Sequence, residues 1–154
     1  MTAVVAVLAI GAAACTSTPQ REPGTSATPK AGAVRLALEP GNSVKKLDEG
    51  LWYVHAVPFS FTVVVTSLAK QDQVTVHLSV PTTAMDLTGP TSGGWACADV
   101  EAGMDCTNNT AVDANQAWPA LTLEARPTAS AQDTIDVYVG DTHVGVPIKL
   151  DTST

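Results

Sequence analysis

The chain has 154 residues, of which 45% are hydrophobic, and its 8 basic and 15 acidic residues give a formal net charge of −7. This length predicts one domain, or one domain with a tail, and the hydrophobic fraction is ordinary for a globular protein. A net negative charge argues against a nucleic-acid partner and against electrostatic docking on anionic lipid, because both depend on Lys and Arg side chains.

The first 14 residues form an uncharged, almost wholly apolar segment that ends directly before Cys15. A bilayer span needs about 20 residues, so this segment is too short to cross a membrane, but it suits the apolar region of a signal peptide. Because small residues precede Cys15, the segment resembles a bacterial lipoprotein signal. The resemblance implies that Cys15 becomes the first mature residue and carries the lipid. An ordinary cleaved secretory signal and a short buried N-terminal helix remain as alternatives.

The segment departs from the lipoprotein pattern at two points. Ala12 stands where that family usually has Leu or Val, and no basic residue precedes the apolar run. We therefore expect translation to begin upstream of Met1. A single acyl chain binds membranes only marginally, whereas the lipoprotein modification supplies more than one chain. The resemblance thus implies stable anchoring at the extracytoplasmic face of the bacterial cell membrane.

Residues 16–33 are rich in Pro, Gly, Ser and Thr and contain no large apolar side chain. Such a composition cannot bury enough surface to offset its ordering entropy. We therefore predict that residues 15–33 comprise the lipidated Cys15 and a disordered linker. A flexible coil of about 18 residues reaches roughly 23 Å, which would hold a domain just off the membrane surface. The same composition is compatible with an O-glycosylated stalk.

From residue 34 to residue 151, apolar side chains recur at every second position. The clearest runs are Val34–Leu38, Phe59–Val65, Val74–Val80, Leu121–Ala125, Ile135–Val139 and Val144–Leu150. Alternation of period two buries one side of a strand, and turn signals rich in Gly, Pro and Asn separate these runs. No segment of ten or more residues shows a helical period. We predict an all-β domain over 34–151, an antiparallel β-sandwich of about seven strands.

Cys97 and Cys106 lie within this domain with eight residues between them. An exported protein can keep a disulfide, and closing so short a loop stabilises the fold by about 2–3 kcal/mol in the chain-entropy model. We predict that the two cysteines are bonded. Free thiols or a metal site are the alternatives, although a metal site needs more ligands than stand nearby.

The cysteines belong to a pattern that resembles a known family. Its elements are Thr91–Cys97, Met104–Thr107, Trp118–Ala125 and the early strand Pro58–Thr66. Together they are similar to the conserved-repeat Ig-like domain of bacterial surface proteins, a domain of unassigned function. The resemblance implies an Ig-like sandwich that serves as a spacer or display module. Members often occur in tandem, but this chain holds one copy.

The sequence contains no motif of a known catalytic or phosphate-binding site. Its three histidines, His55, His77 and His143, lie in separate segments and would have to converge to bind a metal. We predict no metal and no cofactor. Trp52, Tyr53 and Trp118 are candidate ligand-binding aromatics, because an exposed ring can stack on a sugar or dock a partner. Packing at the edge of the core is the alternative for all three.

These observations predict a non-catalytic interaction or structural module of the bacterial cell envelope, anchored to the membrane by lipid and contacting an unknown protein or cell-wall partner. The alternative is a lipoprotein that binds a small ligand or carbohydrate through exposed aromatics. An enzyme is the third hypothesis. It would gain support if His55, His77 or His143 clustered with acidic residues in one cleft.

Overall fold

The computed structural model describes residues 33–154, and these form eleven strands and one 3₁₀ turn, Asp48–Gly50. The predicted all-β class is confirmed. The strands are β1 Val34–Pro40, β2 Lys45–Lys46, β3 Trp52–His55, β4 Phe59–Ser67, β5 Val74–Ser79, β6 Met85–Thr88, β7 Trp95–Val100, β8 Gly103–Asn108, β9 Leu121–Pro127, β10 Ala131–Val139 and β11 Thr142–Asp151. The predicted signal segment, Cys15 and the linker up to residue 32 lie outside the described residues. Within the described part of the chain, no helix has the length and apolar character needed to cross a bilayer.

The strands form two sheets that enclose one core. The small sheet has the order β1-β4-β9-β6, and the large sheet has the order β2-β3-β11-β10-β5-β8-β7. All of these neighbours run antiparallel except β3 and β11, which are parallel. The predicted sandwich is confirmed, with more strands than the predicted seven. The alternation identifies only long runs, and β2 and β6 have just two and four residues.

The core takes the inward side chains of both sheets. In β4 the burial follows the predicted alternation, since Phe59, Phe61, Val63 and Val65 are buried and the residues between them are half-buried. Each such apolar side chain contributes about 1.5–3 kcal/mol when it leaves water. The rigid platform that results fixes the positions of the exposed strand faces and edges.

Candidate functional site

The predicted disulfide between Cys97 and Cys106 is confirmed, with an S–S distance of 2.03 Å. The two cysteines are register partners in β7 and β8, so the bond joins neighbouring strands of the large sheet. Cys106 is fully buried and Cys97 is half-buried. Gly89 packs against this bond, because a Cβ at Gly89 would lie 2.7 Å from the Cβ of Cys97. The disulfide therefore pins β7, the last strand of the sheet, to the rest of the fold.

Trp52 and Trp118, two of the three candidate ligand-binding aromatics, lie in the core and are 1% and 2% exposed. The ring of Trp52 packs against that of Phe61, with centroids 6.3 Å apart. The indole Nε1 of Trp118 donates a hydrogen bond to the carbonyl oxygen of Thr110 at 2.8 Å. The premise that these two rings are exposed is thus corrected. Pairing of β3 with β11 turns Trp52 inward, and the loop of residues 109–120 folds Trp118 over the core.

Tyr53, the third candidate, is half-buried and its hydroxyl donates a hydrogen bond to Asp151 Oδ2 at 3.0 Å. The other carboxylate oxygen of Asp151 accepts bonds from the backbone N–H and the hydroxyl of Ser153, at 3.0 and 2.6 Å. His55 Nδ1 lies 3.9 Å from Asp151. These contacts clamp the end of β11 beside β3, so the hydroxyl of Tyr53 is already engaged by the protein itself.

The clamp changes the proton affinity of both groups. The bonds from Ser153, followed by the bond from Tyr53, lower the pKa of Asp151 to about 2. The hydrogen bond to Asp151, with partial burial and the nearby negative charge, raises the pKa of Tyr53. Hydrogen bonds to the carboxylate favour its charged form, and the same bond disfavours the phenolate.

Asp151→Ala is expected to lower the pKa of Tyr53 towards the ordinary tyrosine value of about 10, because it removes the hydrogen bond and the charge that raise it. A Tyr138→Phe background leaves Tyr53 as the single titrating phenol, since the chain has two tyrosines. The ultraviolet absorbance of the phenolate, followed against pH, measures the shift. Ser153→Ala is the control, because it leaves the bond between Tyr53 and Asp151 in place. An unchanged titration in Asp151→Ala would contradict the clamp.

The same pKa shifts contribute to the pH dependence of folding. The folded-state pKa of Asp151 lies below the unfolded value of about 3.9, so its contribution to stability is complete above that pH and is lost as the pH falls to about 2. The folded-state pKa of Tyr53 is raised, so its contribution is complete below about pH 10 and is lost as the pH rises through the folded value. Denaturant unfolding of Asp151→Ala should lose the contribution of Asp151 at acid pH and most of the contribution of Tyr53 at alkaline pH.

A row of polar and aromatic side chains, which we call the ring row, crosses the outer face of the large sheet. His143, Tyr138, His77 and Asp105 occupy directly opposed positions on β11, β10, β5 and β8. The ring of Tyr138 stacks on that of His143 with centroids 4.5 Å apart, and its distance to the ring of His77 is 6.1 Å. His77 alternates with the buried residues Val76 and Leu78, so it lies on the outer side of β5. The order of the strands places one imidazole on each side of Tyr138.

Each imidazole of this ring row is paired with a carboxylate. His77 Nδ1 is hydrogen-bonded to Asp105, and His143 Nε2 lies 2.7 Å from Asp136 Oδ1. Gly145 makes the second pair possible, because a Cβ there would lie 2.6 Å from Asp136 Oδ1. The pairs stand on an exposed strand face, where the side chains of His77 and Asp105 are 44% and 41% exposed.

His55, the remaining histidine, lies at the clamp and not in the ring row. Among residues 33–154, no three His, Cys, Asp or Glu side chains are grouped so that they could hold a metal ion. Histidines and acids do meet in pairs, but the ring row lies on an open sheet face. The enzyme hypothesis would gain support from such a cluster inside a cleft, and the ring row lies outside one.

The outer edge of the large sheet is formed by β7, which pairs with β8 on one side only. The Cα atoms of Cys97 and Cys106 are 4.0 Å apart, which marks a non-hydrogen-bonded pair of an antiparallel ladder. By the alternation of the ladder, the backbone N–H and C=O groups of Trp95, Cys97 and Asp99 point away from β8. No backbone group elsewhere in residues 33–154 bonds to them. We call this feature the β7 edge.

The other sheet edges carry features that discourage the addition of a strand. β2 consists of two exposed lysines, and β6 has four residues. β1 contains Arg35 and Glu39 and ends at Pro40. β7 has six residues without Lys, Arg or Pro, and Asp99 is its single charge. The β7 edge is therefore the sheet edge best suited to pairing with another chain.

No protein-family model matches this chain, and a search of curated proteins found no match. Its class therefore rests on its own structure, which is a disulfide-linked β-sandwich with an exposed ring row and one unprotected sheet edge. The resemblance to the conserved-repeat Ig-like domain stays a prediction beyond the sandwich fold.

Proposed function

We propose that this chain is a non-catalytic interaction or structural module of the bacterial cell envelope, held at the extracytoplasmic face of the cell membrane by lipid on Cys15. The observation that carries the proposal is the β7 edge, where a firmly packed sandwich offers unpaired backbone groups to another polypeptide. The disulfide supports an oxidising compartment. The Pro- and Thr-rich linker supports a domain that reaches partners near the membrane.

A photoreactive amino acid placed in living cells tests this function. At Ala98, an exposed position of β7, it is expected to form a covalent adduct with a protein or cell-wall polymer, which mass spectrometry then identifies. Thr122 on the outer face of the small sheet is the matched control position, and we expect no adduct there. Absence of an adduct at Ala98, or identical adducts at both positions, would argue against an interaction module that works through the β7 edge.

The anchor makes a separate prediction. Mass spectrometry of the mature protein should find a chain that begins at Cys15 and carries acyl groups there, and Cys15→Ser should move the protein from the membrane fraction to the soluble fraction. The double variant Cys97→Ser/Cys106→Ser should stay with the membrane, since those cysteines form the disulfide. An unacylated mature chain that begins elsewhere would refute the anchor.

The alternative of a carbohydrate or small-ligand binder receives less support from the described residues. Stacking on a sugar requires an exposed ring face. Trp52 and Trp118 are buried, and the hydroxyl of Tyr53 is held by Asp151. Tyr138 is exposed but stands between two imidazole rings. These contacts favour a polypeptide partner over a sugar.

A further inference from the structure

We infer that the β7 edge binds an extended, positively charged segment of a partner protein by β-strand addition. This inference rests on the proposed function and names the chemistry of the partner. Three features carry it: the direction of the backbone groups of β7, the cleft that opens beside them, and the charge of that cleft.

The backbone of β7 presents a regular array of donors and acceptors. Trp95, Cys97 and Asp99 alternate along the strand, and each directs its N–H and C=O away from β8. An antiparallel strand laid beside β7 would exchange a pair of hydrogen bonds with each of the three residues. The disulfide holds the centre of β7 in place, so the array exists before a partner arrives.

A cleft of about 460 Å³ opens beside this array, between β7 of the large sheet and the end of β6 in the small sheet. Every second side chain of an added strand would point towards it, because side chains alternate across a strand. Its lining is formed by Leu87, Thr88, Gly89, Pro90, Cys97, Ala98, Asp99 and Met104. The accessible surface of the cleft is mostly polar, so it suits the charged end of a long side chain such as Lys or Arg better than an apolar side chain.

The charge of the cleft determines which long side chain it favours. Asp99 lines this cleft and also a neighbouring one of about 230 Å³, which Asp86 and Glu101 line as well. Arg126 on β9 is the register partner of Asp86 on β6. Within residues 33–154, the three carboxylates that lie within 4.0 Å of a basic group belong to Asp105, Asp136 and Asp151, and each is paired with a histidine. None of these pairs includes a carboxylate that lines the two clefts. A Lys or Arg entering the cleft would meet Asp99, with Asp86 and Glu101 in the neighbouring cleft.

A short synthetic peptide of alternating Thr and Lys, added to the full-length chain, tests the inference. Amide hydrogen exchange measured by nuclear magnetic resonance should slow by about tenfold or more at Trp95, Cys97 and Asp99. The matched peptide of alternating Thr and Glu should leave these amides unchanged. Binding of the Lys peptide without protection of the three amides would overturn strand addition, and equal binding of the Glu peptide would overturn the charge argument.

Variants at Asp99 distinguish the contribution of its backbone N–H group to binding from that of its side-chain charge. Asp99→Asn removes the charge and keeps the N–H group, so it should weaken binding of the Lys peptide while the protected amides stay the same. Asp99→Pro also removes one edge donor without touching the bonds between β7 and β8, so it should abolish the protection. Asp99→Lys keeps the backbone N–H group and reverses the charge, so it should bind the Glu peptide in preference to the Lys peptide. This variant tests the charge argument even if Asp99→Pro fails to fold. Asp141→Asn, at the exposed turn between β10 and β11, is the matched control and should bind like the parent.

The proposed function and the inference of a basic strand as the partner can each be refuted without the other. An adduct at Ala98 in cells, with no effect of the Lys peptide on the amides of β7, would retain the interaction module and overturn a basic strand as its partner. Protection by the Lys peptide without any adduct in cells would support the basic strand and count against the cellular function.

Discussion

Replacing Trp118 with alanine is expected to lower the free energy of unfolding by about 3–5 kcal/mol. The side chain is 2% exposed, so its loss leaves a cavity in the core. It also frees the carbonyl oxygen of Thr110, which accepts the indole N–H at 2.8 Å. A small domain is stable by only about 5–15 kcal/mol, so this one change removes a large share of the total. Equilibrium unfolding in urea measures the effect.

Trp118→Phe is the matched control, because it keeps an aromatic ring in the core and removes the hydrogen bond. We expect a smaller loss of about 0.5–1.5 kcal/mol, the net contribution of a typical hydrogen bond, because Thr110 is itself exposed. A ligand-binding tryptophan on the surface would behave otherwise, with a stability change of about 0.5 kcal/mol or less. A small effect of Trp118→Ala would therefore restore Trp118 as a candidate for ligand stacking.

Gly103→Ala is expected to destabilise the fold by about 3 kcal/mol, at the upper end of the cost of overpacking. Gly103 begins β8, and a Cβ at this position would lie 2.0 Å from the carbonyl oxygen of Leu78. That atom belongs to the backbone of β5 and cannot rotate away. The added methyl group would force apart β5 and β8, which are register partners next to the β7 edge of the large sheet.

Gly140→Ala provides the comparison for Gly103→Ala. Its turn has a positive φ of 56°, but a Cβ there would meet no atom within 4 Å. Its cost should therefore be limited to the left-handed backbone, about 1–2 kcal/mol. Thermal unfolding of the two variants measures the difference, and equal losses would show that backbone conformation, not the contact with Leu78, governs Gly103.

The alternation of apolar residues was sufficient to predict the longest strands. It marked β4 because Phe59, Phe61 and Val63 recur at every second position, and the structure buries all three. It did not mark β3 or β6, which have four residues each. Four residues are too few to distinguish a strand from a loop by pattern alone. Gly103 was not recognised either, since nothing local reveals that a carbonyl group of β5 lies above it.

The candidate site was only partly accessible to sequence reasoning. Cys97 and Cys106 could be paired because the chain had just these two cysteines in the predicted domain. For Trp52 and Trp118 the sequence left an exposed ring and core packing as alternatives. The structure buries both rings, and for Trp52 this depends on the parallel pairing of β3 with β11. The ring row was only partly predictable, because His143 lies opposite Tyr138 across the β10–β11 hairpin, whereas His77 comes from β5, a distant strand.

The sequence by itself determined the all-β class and the disulfide, because strand alternation and cysteine spacing are local properties. Only the tertiary structure decided which sheet each strand joins. It places β7 at the end of the large sheet, with the backbone N–H and C=O groups of three residues directed away from β8. Strand order depends on contacts between distant segments, which compete through burial and hydrogen bonding over the whole fold. The β7 edge and the ring row are products of that order, and so is the function proposed for them.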